Sequence, residues 1–356
     1  MKHNLHLMRY SRLLVAIFAL LMPQLQLSAQ IGGRGVYDFV NAPVTARVAA
    51  LGGLAAPIDD GDINLALFNP ALINASMSNQ LNLSYVDYYA DINFGSVQYA
   101  HDFNKIGSFA AGLQYYNYGS FDYADEGGNR DGQFSAADYV FVLGWGRQLD
   151  SSFSIGANAK FIGSAYESYN SYGLAVDVAG TYRTRSGWLM SLTARNIGRE
   201  MKSFLPGEAS AMPFSMQFGV SKRLDHVPFR VMVIYDQLQR WDLTYESSYN
   251  NSNTDPISGD KNTKAGFEKF GDQLMRHMLV GGEFYIGKNL SLRASYNYRR
   301  RQEMKLTDRA GMVGFSWGLG IRISKFNISY ARAAYHIIGS PNYLTITTNL
   351  NSFSRK

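Results

Sequence analysis

From residue 80 onward, apolar side chains alternate with small or polar ones at a period of two. Leu81, Leu83 and Tyr85 alternate with Asn82 and Ser84. Tyr172, Leu174, Val176, Val178 and Tyr182 alternate with Gly173, Ala175, Asp177, Ala179 and Thr181. Met212 to Val220 and Leu290 to Tyr298 repeat the pattern. One apolar and one polar face over about ten residues is how a transmembrane barrel strand reads, lipid on one side and lumen on the other. Such segments fall near 80–88, 92–101, 107–118, 134–146, 153–162, 171–182, 188–196, 212–222, 227–236, 276–286, 290–298, 310–322, 326–334 and 343–350. They make an even set of fourteen, and bacterial barrels have even strand numbers.

The connections are sorted by parity. Asp102–Ile106, Arg147–Ser152, Arg183–Gly187, Arg223–His226, Gly287–Asn289 and Ile323–Lys325 are short and turn-like. Between them lie the long Gly119–Gln133, Ile197–Ala211, Gln237–Met275, Arg299–Arg309 and Tyr335–Asn342, with Tyr89–Asp91 short and Gly163–Asn170 intermediate. Outer-membrane barrels join strands by short periplasmic turns and longer outer loops. The expected fold is therefore all-β: a 14-stranded antiparallel outer-membrane β-barrel over 80–356, with both termini periplasmic. Tyr85, Tyr88 and Tyr89, then Tyr115, Tyr116 and Tyr118, and Trp188 are expected to form aromatic girdles at the membrane interfaces.

The N-terminus has a different pattern. Lys2, Arg9 and Arg12 precede an apolar run from Leu13 to Met22, and Leu27-Ser28-Ala29 follows Pro23. Residues 1–29 read as a secretory signal peptide, too short in its apolar part to span a bilayer. The leader holds three basic residues and no acid, so half of the chain's +6 charge belongs to it. A pI near 9.2 thus gives little support to nucleic-acid binding. Mean hydropathy is −0.18, as expected where half of each strand faces a lumen.

Residues 30–79 break the strand pattern and are expected to fold as a plug in the lumen, against small inward residues such as Ala175, Ala179 and Gly219. Residues 44–51 suit a short helix ended by Gly52-Gly53. Ala46-Arg47-Val48-Ala49-Ala50-Leu51-Gly52-Gly53, the acidic run after it, and Asn69-Pro70-Ala71-Leu72 resemble the N-terminal signature of the PorV/PorQ family. The opening Gly33-Arg34-Gly35-Val36-Tyr37-Asp38-Phe39-Val40-Asn41 is most similar to the PorQ branch. The resemblance covers about fifty residues. It implies a FadL-like barrel with a plug, in the outer membrane, as a component of the type IX secretion system. The implied role is anchoring a PorZ-like surface protein in an attachment complex with PorU- and PorV-like members, where cargo is joined to lipopolysaccharide. One departure is the ending, where Phe353 is followed by Ser354-Arg355-Lys356 rather than closing the chain on an aromatic residue. A FadL-like channel for long-chain fatty acids or other hydrophobic small molecules is the alternative function, and Val140 and Val142 offer an apolar inward patch for it.

Candidate chemistry is sparse. Zero cysteines exclude disulfides, thiolate metal sites and a thiol nucleophile. His101, His226, His277 and His336 show no shared ligand spacing, so no metal and no cofactor are expected. Asp59-Asp60-Gly61-Asp62 resembles a calcium loop only in part, since Pro70 stands where a closing acid belongs. No motif links a serine to a histidine and an orienting group, so catalysis is not expected. Arg240, Trp241, Tyr245, Phe267 and Phe270, in the longest connection, are candidate partner-binding residues, because aromatics and Arg dominate interface hot spots. Arg299-Arg300-Arg301 are candidate contacts for lipopolysaccharide phosphates.

Overall fold

The computed structural model describes residues 35–90, 92–207, 210–244, 266–304, 311–335 and 339–353. The expected leader, Tyr245, His336 and the last three residues lie outside the described residues. Fourteen strands run β1 Gln80–Asp87, β2 Asn93–Asp102, β3 Ser108–Ala124, β4 Arg130–Gln148, β5 Phe153–Tyr166, β6 Tyr169–Arg183, β7 Trp188–Lys202, β8 Ser215–Arg223, β9 Phe229–Asp236, β10 Met278–Ile286, β11 Leu290–Asn297, β12 Phe315–Ile323, β13 Phe326–Ala333 and β14 Asn342–Asn349. Each pairs antiparallel with its sequence neighbours, and β1 closes on β14 with Gln80 opposite Asn349. Closure leaves no sheet edge, which is the condition for strands to stand in hydrocarbon.

The two faces separate as the alternation requires. Outward positions such as Leu113, Phe141, Phe161, Leu174, Leu192 and Val280 are exposed, while Gln114, Val140, Val142, Ile162, Ala175 and Thr193 between them are buried inside the barrel. In a soluble protein so large an exposed apolar surface would be a liability; here it is the belt that meets lipid.

Several connections differ from expectation. Residues 119–133 are mostly strand, since β3 and β4 continue to Ala124 and Arg130. Register shifts after Asn117 and after Asp122 break the period of two there and hide the strand. Likewise β5 and β6 run to Tyr166 and Tyr169, and β7 to Lys202. Two of the long connections contain helices, α2 (Gly266–His277) and α3 (Tyr298–Met304). Strand β12 begins at Phe315, later than expected.

The aromatic girdle needs correction at three of its seven positions, since Tyr88 and Tyr118 are partly buried against the core and Tyr116 is fully so. Tyr85, Tyr89, Tyr115 and Trp188 are exposed, but Tyr116 is buried in the lumen. Adjacent strand residues point to opposite faces, so a Tyr-Tyr pair cannot serve one girdle with both rings.

Candidate functional site

Residues 35–79 occupy the lumen as a series of short turns. After a 3-10 turn at Asp38–Asn41 comes α1 (Ala46–Ala50), followed by 3-10 turns at Ile63–Leu65, Pro70–Leu72 and Ala75–Met77. The expected helix forms and ends as anticipated: Gly52 and Gly53 take φ of 94° and 84°, and their N–H groups donate to the carbonyls of Ala49 and Val48. Val44, Ala46, Val48, Leu51, Ile63 and Leu65 are fully enclosed.

Arg47 is the centre of the short-turn end. All five of its N–H groups donate: Nε and Nη2 to Glu283 at 2.9 Å each, Nη1 and Nη2 to Asp60 at 3.0 and 2.7 Å, and Nη1 to Asp62 at 2.7 Å. Glu283 on β10 is fully buried. It also accepts from Arg230 of β9 at 2.7 Å, Arg293 of β11 at 2.9 Å and Tyr285 at 2.7 Å. Three arginines therefore face three carboxylates across the seam between segment and wall. Burial would raise the Asp60 carboxyl, but Arg47 and Arg230 outweigh it and hold it below the usual carboxylate range. The acidic run is occupied by arginines in this way, Asp59 included through Arg183 at 2.6 Å.

The other motif residues are held by close approach. Asn69 donates to Ser191 of β7 at 2.8 Å. Pro70 and Ala71 lie so near the wall that a Cβ on Gly156 of β5 would stand 2.2 Å from the Pro70 carbonyl. Only glycine permits that contact. In the middle of the lumen, Lys160 pairs with Asp177 at 2.8 Å and donates to Asn196 at 2.8 Å. Asn196 sits at a bulge of β7, with φ of 58°, and its side chain donates to Asn41 of the luminal segment. Beside it, Arg195 lies 4.4 Å over the ring of Phe68.

The long-loop end of the lumen is aromatic. Phe94 stacks on Tyr116 at 4.9 Å and lies 6.4 Å from Tyr343, while Phe39 of the luminal segment meets Tyr116 at 5.1 Å. Tyr88 joins Phe94 at 5.6 Å and stacks on Tyr89, which is exposed at the mouth. Arg300 rests 3.9 Å from the centre of the Tyr335 ring. Pattern reading of the strands placed several of these tyrosines in membrane girdles; strand parity alone would have turned Tyr116 inward.

The candidate partner residues are partly brought together. Trp241 and Phe270 lie 5.4 Å apart, and Phe267 is the most exposed large apolar residue described, at 87%. Arg240 folds back to donate to the Asp242 carbonyl. The three arginines proposed for lipopolysaccharide do not form one patch: Arg299 pairs with Asp236 at 3.2 Å, Arg300 stacks on Tyr335, and Arg301 donates to the carbonyls of Gly311 and Val313.

A closed barrel with a filled lumen and an exposed apolar belt defines a class: the fourteen-stranded transmembrane β-barrel. No protein-family model and no curated protein sequence matches the chain. Among solved structures, the toluene transporter TbuX of Ralstonia pickettii aligns with a TM-score of 0.53 at 10% identity, over 87% of this chain and 99% of that one. The Pseudomonas putida toluene transporter TodX aligns at 0.52 and 12% identity, over 87% and 99%. A Pseudomonas aeruginosa FadL homologue aligns at 0.47 and 10% identity, over 86% and 98%, which adds nothing to the first two. At such identities the likeness establishes the fold and no more.

Proposed function

We propose that the chain passes hydrophobic small molecules across the outer membrane, the luminal segment controlling their passage. The observation that carries this reading is the aromatic group of Phe94, Tyr116, Tyr343 and Tyr88 beneath the long-loop mouth, next to a segment anchored at the opposite end. Apolar ligand sites are lined by aromatic rings with a few polar atoms to orient the ligand. The toluene transporters with the same fold support the substrate class. In this reading the long loops face outward, the termini are periplasmic, and the protein is not an enzyme. Uptake of radiolabelled toluene and of a long-chain fatty acid by cells with and without the protein tests it; equal uptake of both would sink it.

A second reading is favoured by how firmly the signature residues are held. Arg47, Gly52, Asn69, Pro70 and Ala71 lie in seams between the luminal segment and the wall, and Gly53 lies between Pro43 and Arg300. A barrel fixed in this way suits a membrane anchor for a PorZ-like surface protein, within a type IX attachment complex holding PorU- and PorV-like members. Deleting residues 240–270 and measuring recovery of surface proteins tests the candidate loop. Undiminished recovery would remove Arg240, Trp241, Phe267 and Phe270 from the interface.

A further inference from the structure

Helix α2 is amphipathic in the reverse sense. Phe267, Phe270, Leu274 and Met275 fall at i, i+3, i+7 and i+8, the spacing of one helical face, and all four are exposed. Part of its polar side contacts the protein instead, while Glu268 and Lys269 are exposed. Asp272 accepts from Tyr298 of α3 at 2.8 Å, and Gln273 is buried, donating to Asp242 at 2.7 Å and accepting from the Leu243 N–H at 3.1 Å. Such an arrangement exposes to water the surface that burial would stabilise, at roughly 25 cal/mol per Å². An exposed apolar face of this kind marks contact with a protein partner or a membrane.

Its position says which. Helix α2 runs into β10 without an intervening residue. A column of rings leads from the barrel wall to the helix: Tyr235 stacks on His277 at 4.6 Å, His277 stacks on Trp241 at 5.6 Å, and Trp241 lies tilted against Phe270 at 5.4 Å. Tyr235 is in register with Phe218 on β8 and Met278 on β10, on the outward face that carries the exposed Val233 and Val280. The His277 ring is enclosed, with its nitrogens 2.7 and 3.0 Å from the carbonyl oxygens of Asp236 and Trp241, which pins the column to the wall. The apolar face of α2 thus continues the lipid-facing belt at its long-loop edge, where tryptophan and tyrosine rings settle in membranes.

We propose that α2 is a membrane-interface helix, its Phe267, Phe270 and Leu274 side chains immersed in the leaflet on the long-loop side. Helices with this pattern lie in the interface with the apolar face buried about 5–10 Å into the acyl boundary. The proposal is independent of whether the barrel conducts. It assigns to lipid the aromatic residues that would otherwise be read as a protein-binding anchor.

The chain contains no cysteine, so nitroxide labels can be placed singly at Phe267→Cys, Phe270→Cys, Leu274→Cys and, as the polar reference, Lys269→Cys. Labelled protein is reconstituted in phosphatidylcholine–phosphatidylglycerol vesicles, and collision with oxygen is compared with collision with a water-soluble nickel chelate. Oxygen should dominate at 267, 270 and 274, by several-fold in the collision ratio over position 269. Nickel dominance at all four positions, or dipolar broadening that places a second copy against the helix, would overturn the proposal. As a check on an unsubstituted helix, Trp241 fluorescence is read with Trp145, Trp188 and Trp317 changed to Phe. Vesicles of brominated phosphatidylcholine should quench it strongly; quenching by aqueous acrylamide alone would count against lipid contact.

Discussion

The two ends of the lumen are built from opposite chemistry. At the short-turn end, Arg47, Arg230 and Arg293 meet Asp60, Asp62 and Glu283 in a charge-balanced, bidentate network. At the long-loop end, Phe94, Tyr116, Tyr343, Tyr88 and Phe39 meet through ring faces and edges. The first end is directional: each N–H of Arg47 has one carboxylate oxygen, and removing any partner strands a buried charge. The second is non-directional, and rings tolerate a guest of similar character. The contrast teaches a division of labour, with the luminal segment anchored below and adaptable above.

The largest expected effect breaks the anchored end. Glu283→Gln leaves the arginines in excess around a fully buried position and should cost about 3–5 kcal/mol, read as a lower urea midpoint for unfolding in detergent. Gly156→Leu should cost less, about 1–3 kcal/mol from overpacking, because a side chain there must displace the Pro70 backbone. Protease should then cleave near residue 70 in the variant and spare the native chain.

Acid should sharpen the contrast. The Asp60 carboxyl is held below its ordinary value, near 3.9 when unfolded, so its contribution is complete above about pH 4 and fades as pH falls through the lowered value. Stability should be flat from pH 7 to about pH 4 in this respect and fall below it, with Asp60→Asn less stable at neutral pH and less acid-sensitive. A pH dependence unchanged in Asp60→Asn would contradict this account. The smallest stability change is expected at the other end: Phe94→Leu should lose about 0.5–1.5 kcal/mol of ring contact. Its main effect should instead be on toluene uptake, reduced at least two-fold in the same cells.

How much of this was legible in the sequence follows from the physics of each region. Every strand was visible, because lipid on one face and lumen on the other force alternation along nearly all of each strand. The hairpin beyond Asn117 was not, because bulges at two places shift the period. Helix α2 was hidden for a different reason: its apolar face points away from the protein, so its spacing marks no core. In the luminal segment, the Arg47 motif and Asn69-Pro70-Ala71 stood out as a unit, yet their partners lie far off in the chain. Glu283, Arg230 and Arg293 come from three strands. Nothing local in the sequence says that their inward positions converge on one guanidinium. Tyr116 could have been assigned inward by parity, since Tyr115 beside it is outward.

The measurement that bears most directly on the proposed function is uptake of radiolabelled toluene by whole cells, whose lipopolysaccharide leaflet slows apolar solutes. Cells making the native protein should take up label several-fold faster than cells lacking it, with Phe94→Leu in between. Identical rates in all three strains, with the protein folded in the outer membrane, would contradict transport and leave the barrel as an anchor.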